Sequence, residues 1–92
     1  PSDPSPAFTV RVRGQVQGVG FRPFIWQLAH EFGLRGRVWN DAEGVGIEAA
    51  GPALDAFLAA IPARAPQLAR IDAVEVTTFS GDLPDGFQIA ES

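Results

Sequence analysis

The sequence predicts an α+β sandwich, an antiparallel sheet with two helices packed on one of its faces. Three observations carry this expectation. Apolar and polar residues alternate over 8–14 and again in later short runs, which is the period of half-buried strands. Two segments, 22–32 and 52–61, place apolar residues at helical spacing instead. The chain has 92 residues, enough for one domain. A chain this short buries only about 60–65% of the surface its unfolded form exposes, so it has one modest core.

The elements follow in order. Residues 1–7, PSDPSPA, form a polar, proline-rich lead expected to be a flexible terminus. Residues 8–14 put Phe8, Val10 and Val12 on one face and Thr9, Arg11 and Arg13 on the other, as a half-buried strand does. Residues 15–21, QVQGVGF, read as a loop, because Gly18 and Gly20 free the backbone. Arg22–Phe32 reads as a helix. Pro23 suits its first turn, where a missing N–H costs nothing. Phe24, Ile25, Leu28, Ala29 and Phe32 share one side, and Gly33 supplies a stop.

Residues 35–40, RGRVWN, form a second strand. Asp41–Gly44 is a turn leading to a third strand at 45–50, which closes a hairpin. The second helix spans Pro52–Ile61, with Leu54, Phe57, Leu58 and Ile61 on one stripe; Pro62 and Pro66 mark the loop that ends it. Residues 71–78, IDAVEVTT, are a fourth strand, and Phe87 and Ile89 mark a short last one. The order is β-α-β-β-α-β with an extra strand, the ferredoxin-like layout, over a domain at 8–92.

Composition removes several functional classes. There is no cysteine, hence no disulfide scaffold and no thiolate metal site. The single histidine, His30, removes the usual zinc constellations, and no cofactor motif is present. No signal peptide and no apolar run of about 20 residues is present, so a cytoplasmic protein with no membrane partner is the expectation. The net charge of −4 argues against nucleic acid as a partner. The charge is uneven, however. All seven basic residues are arginine, and five of them (Arg11, Arg13, Arg22, Arg35, Arg37) lie between residues 8 and 40, with Glu31 the only acid there. A local positive field in an acidic chain suits a small anion. The plain alternative is that Arg11, Arg13, Arg35 and Arg37 are solvated strand residues.

The chemistry concentrates in Gly14–Phe24, GQVQGVGFRPF. A strand runs into a glycine-bearing loop and then into a helix N-terminus, which converges several N–H groups and the positive end of the helix dipole. Arg22 stands at that junction, where its planar fork can grip two phosphate oxygens. The run is neither a P-loop nor a dinucleotide fingerprint, since it lacks Gly-Lys-Ser/Thr and its glycines fall at 14, 18 and 20. Taken alone it could equally be a tight turn. Asn40, ending the second strand, is either a turn residue or a neutral amide able to hold a water beside an anion. His30, Trp26, Trp39, Asp41 and Glu43 read as surface, rim or turn residues.

The run GQVQGVGFR resembles the signature of the acylphosphatase family, and Val38-Trp39-Asn40 resembles the strand that holds that family's asparagine. The likeness extends from about Phe8 to Ile89. Pro23–Ala29 (PFIWQLA) and Leu68–Val74 (LARIDAV) resemble, more narrowly, the N-terminal acylphosphatase-like domain of HypF-type hydrogenase maturation carbamoyltransferases. The resemblance implies the ferredoxin-like fold and a phosphate cradle from Gln15, Val16, Gln17, Gly18, Val19, Gly20 and Phe21. It also implies Arg22 as the phosphate-binding arginine and Asn40 as the water-orienting asparagine, these two being catalytic.

The ligand implied is a small acyl phosphate, carbamoyl phosphate in the narrower case, with no metal or cofactor. The partners implied are downstream domains of a parent transferase that would follow Ser92. A free-standing acylphosphatase and a non-catalytic anion-binding or docking module are the alternatives. The same element order also serves RNA recognition, but the third strand offers no aromatic for base stacking.

Overall fold

The structure, a computed structural model, describes residues 7–90. Its elements are β1 (Ala7–Gln15), α1 (Phe21–Glu31), β2 (Arg35–Asp41), β3 (Gly44–Ala50), α2 (Leu54–Arg64), β4 (Arg70–Thr78) and β5 (Phe87–Ile89). Residues 1–6 of the expected lead lie outside the described residues; Ala7 already belongs to β1, opposite Ala50 of β3.

The strands form one sheet in the order β4-β1-β3-β2-β5. β1 pairs antiparallel with β3 and β4, and β2 pairs antiparallel with β3. The register sets Val10 against Ile47 and Val76, and Val12 against Val45 and Val74. Directly opposed residues share a face, so Val10, Val12, Val45 and Ile47 line the side that meets the helices, while Val74 and Val76 on the edge strand share that face but stay exposed. β5 is the exception to an antiparallel sheet, since it runs parallel to β2 with Val38 opposite Ile89. The cause is direction: β5 turns back after β4, and the return sense is that of β2, at the far edge from β4.

One cluster forms the core. Val10, Val12, Val38, Val45 and Ile47 from the sheet meet Ile25, Leu28 and Ala29 of α1 and Phe57 and Ile61 of α2. Burying each large apolar side chain contributes about 1.5–3 kcal/mol. Both helices differ in their bounds from the sequence expectation. α1 begins one residue early, because Phe21 is buried and its backbone joins the helix. α2 begins at Leu54 rather than Pro52, and it continues through Pro62 to Arg64. Pro62 sits in the last turn, where it removes a single ladder bond. The extension carries Arg64 to Glu31 of α1, with hydrogen bonds of 2.8 and 3.0 Å.

The opposite face of the sheet has no helix. There Trp39 lies across Gly46, where a Cβ would come within 2.4 Å of the indole. Arg11 pairs with Asp41, Arg13 with Glu75 and Glu43, and Arg37 with Glu48. Three of the four strand arginines expected to be merely solvated are therefore ion-paired. Such partly exposed pairs contribute about 0–1 kcal/mol each.

Candidate anion-binding site

The site is built where β1 hands over to α1. The β1–β4 register shifts between Arg13 and Gly14, where Asp72 of β4 is the extra residue, and β1 stays paired through Gln15 opposite Arg70. Val16 then plunges into the core, 1% exposed. Gly18 and Gly20 follow with φ of 75° and 77°, and no atom stands within 4 Å of where a Cβ would be at either one. Glycine is needed there for backbone conformation alone; another residue would carry about 1–2 kcal/mol of left-handed strain.

Gly20 is the N-cap of α1, with no side-chain hydrogen bond and no acid in the first turn. The opening N–H groups of the helix thus have no side-chain acceptor, and the positive end of its dipole is unscreened. Arg22 stands in this first turn. Half-buried, it makes no ion pair or side-chain hydrogen bond among the described residues.

Asn40, near the end of β2 and opposite Val45, closes the site from the sheet side. Together Val16, Gly18, Gly20, Phe21, Arg22, Pro23 and Asn40 line a cavity of about 230 Å³. The Asn40 Oδ1 is shielded from solvent and accepts no hydrogen bond. A buried carbonyl left without a donor costs about 1–3 kcal/mol. No carboxylate and no histidine lines this cavity.

Two side chains support this arrangement from outside it. Asp41 Oδ1 accepts from Arg11 Nη1 at 2.6 Å and from the Glu43 N–H at 2.9 Å, and Oδ2 accepts from Trp39 Nε1 at 2.9 Å. Burial pushes the Asp41 carboxyl up. The Glu43 N–H, the Arg11 guanidinium and the Trp39 indole together outweigh it and hold the group below its ordinary value. Gln17 donates from Nε2 to the carbonyls of Asp41 (2.6 Å) and Gly44 (3.0 Å), tying the loop to the β2–β3 turn.

The residues singled out in the sequence thus separate into three groups. Val16, Gly18, Gly20, Phe21, Arg22 and Asn40 meet at one cavity. The side chain of Val19 packs against the core. Gln15 lies in β1 opposite Arg70, and with Gln17 it lines a separate, wider cleft of about 550 Å³ beside Glu43, Arg70 and Asp72. Sequence reasoning missed Pro23 as a wall of the cavity, Gln17 as a tie and Asp41 as a hub. The only signal for Asp41 was its alternation with Trp39 along one strand, which says nothing of Arg11. Among the described residues no group of three or more His, Cys, Asp or Glu could hold a metal, and no helix is long and apolar enough to cross a membrane.

The fold is a ferredoxin-like sandwich, and its β1–α1 junction joins a helix N-terminus without a side-chain cap, two left-handed glycines and Arg22, which has no side-chain partner among the described residues. The acylphosphatase sequence family matches residues 8–89, and the chain belongs to that family. It is 66% identical to the carbamoyltransferase HypF of Rhodobacter capsulatus, over 94% of this chain but 12% of that protein's length. The crystal structure of full-length HypF in the phosphate- and nucleotide-bound form superposes with a TM-score of 0.89 at 33% identity, covering 98% of this chain and 13% of that one. The acylphosphatase of Bacillus subtilis superposes with a TM-score of 0.85 at 34% identity, covering 92% of this chain and 98% of that one.

Proposed function

We propose that this chain hydrolyses small acyl phosphates, and that carbamoyl phosphate is its substrate as the N-terminal domain of a HypF-type carbamoyltransferase. The observation that carries the reading is the pairing of an uncommitted Arg22 with the unpartnered Asn40 Oδ1 at one cavity. The guanidinium and the N–H groups of the loop hold the phosphate oxygens. Asn40 accepts a hydrogen bond from the attacking water and holds it in line with the leaving acyl-side oxygen. The new bond forms between water oxygen and phosphorus, and the carboxylate or carbamate leaves. With no carboxylate or histidine in the cavity, the water's proton passes to a phosphate oxygen of the substrate.

Such chemistry suits a substrate with a good leaving group, because positioning and charge stabilisation are all the site offers. The HypF likeness, 66% over 94% of the chain, supports the carbamoyl form over other acyl phosphates. The test is phosphate release from carbamoyl phosphate and from benzoyl phosphate. Wild type is expected to hydrolyse at least one, with Arg22→Ala and Asn40→Ala each slower by roughly 10²–10³-fold, as when one electrostatic donor is lost. Retained activity in Asn40→Ala removes the role given to that residue. A folded wild type that binds phosphate but releases none from either compound points to an anion-binding module instead.

A further inference from the structure

The geometry assigns Gln17 as a positioning residue that fixes the spacing between the anion cradle and Asn40; the assignment rests on the hydrolytic reading above and deepens it. Its side chain is exposed and does not line the small cavity, so it does not touch the anion. What it does touch is the hairpin. One amide nitrogen carries two diverging N–H donors. Here they reach the carbonyls of Asp41 and Gly44, the two residues that bracket the turn at Ala42 and Glu43. The brace therefore ends one residue from Gly18 in the cradle and one residue from Asn40 on the strand.

That placement matters because both ends need holding. The cradle side consists of two left-handed glycines with no side chain packed on them. The strand side is the last stretch of β2, paired to β3 with Asn40 opposite Val45 and Asp41 opposite Gly44, and with the Asp41 side chain tied to Arg11, Trp39 and the Glu43 N–H; none of these contacts reaches the cradle. Gln17 is the side chain that links the two backbones among the described residues. Loss of the brace lets the cradle and Asn40 drift apart while leaving each intact. The phosphate still binds, but the water stands out of line, and a displacement of about 1 Å can cost 10²-fold in rate.

The experiment compares Gln17→Ala and Gln17→Glu with wild type on the acyl phosphate that wild type hydrolyses. Glu keeps the volume and replaces the donors by acceptors facing two carbonyls, so it stands if Ala does not fold. Expected is a fall in kcat of about 10- to 100-fold, with KM and inhibition by inorganic phosphate changed about twofold or less. In an Asn40→Ala background the further loss is expected to be small, because Gln17 acts through Asn40.

An unchanged kcat overturns the assignment. So does a rise in KM and in the phosphate inhibition constant with kcat kept, which makes Gln17 part of the cradle only. If wild type releases no phosphate, the hydrolytic reading fails and the brace is read without activity, from the Asn40 side-chain amide resonances in the phosphate-saturated protein. A shift in Gln17→Ala with phosphate affinity held supports the brace; an unmoved Asn40 signal overturns it.

Discussion

The two helices begin differently, and the difference separates a helix end from a site. Both are 11 residues long, lie on the same face of the sheet and lack a side-chain hydrogen bond at the N-cap. α2 starts behind Ala53 and carries Asp55 in its first turn. Its positive end is answered from within the chain. α1 starts behind left-handed Gly20, has no acid in its first turn and adds the positive Arg22. Every N-terminus offers N–H groups and a dipole. What distinguishes α1 is that the chain declines to neutralise it and shapes a loop around the result.

Placing an acid where α1 lacks one breaks the comparison most strongly. Pro23→Asp is expected to lower phosphate affinity and kcat/KM by about 10- to 100-fold, while the helix itself gains about 0.3–1 kcal/mol from the charge–dipole contact. Stability rising as activity falls is the signature to measure, by thermal melting beside phosphate release. A loss of both makes Pro23 a packing residue and nothing more.

Acid next tests the Asp41 hub on β2, which lies beside the α1 end and has no counterpart described at α2. The Asp41 carboxyl is held below its ordinary value near 3.8, so its contribution is fully present above that pH and is lost as pH falls toward the lower folded-state value. Wild type should therefore melt higher than Asp41→Asn at pH 6, and the gap should close below about pH 4. A gap that stays constant from pH 6 to pH 3 assigns the effect to shape and not to charge.

The smallest effect sharpens the comparison from the other side. Asp55→Asn removes the internal anion of α2 and is expected to cost about 0.3–1 kcal/mol without creating a phosphate site. If the variant binds a second phosphate as tightly as the first, the dipole alone suffices and the glycine cradle is superfluous.

Much of this was legible along the chain. Alternation over residues 8–14 places Val10 and Val12 inward, and both are fully buried. Gly18 and Gly20 stand out as left-handed positions and Arg22 as the cation beside them, because φ freedom and a forked cation are local properties that need no partner to be noticed. Pro62 misled for the same reason. A proline signals a helix end locally, yet the last turn tolerates it, and Arg64 finds Glu31 on a helix 33 residues earlier in the chain. Gln15 misled too, since a glutamine beside a glycine loop reads as loop, whereas its pairing with Arg70 of β4 keeps it in the ladder.

The sequence by itself determined the element order, the buried faces, the glycine conformations and the absence of cysteine, because these depend on period, backbone sterics and composition. The tertiary structure alone decided which arginines are committed and which is free. Arg11, Arg13 and Arg37 find carboxylates from 11 to 62 residues away, and Arg22 finds none among the described residues. It also decided that Asn40 is left without a donor beside Arg22 and that Gln17 reaches across to Asp41 and Gly44. Hydrogen bonding and ion pairing act over about 3 Å of space, whatever the separation along the chain, so strand register and the turn of a loop had to be known before any of these partners could be.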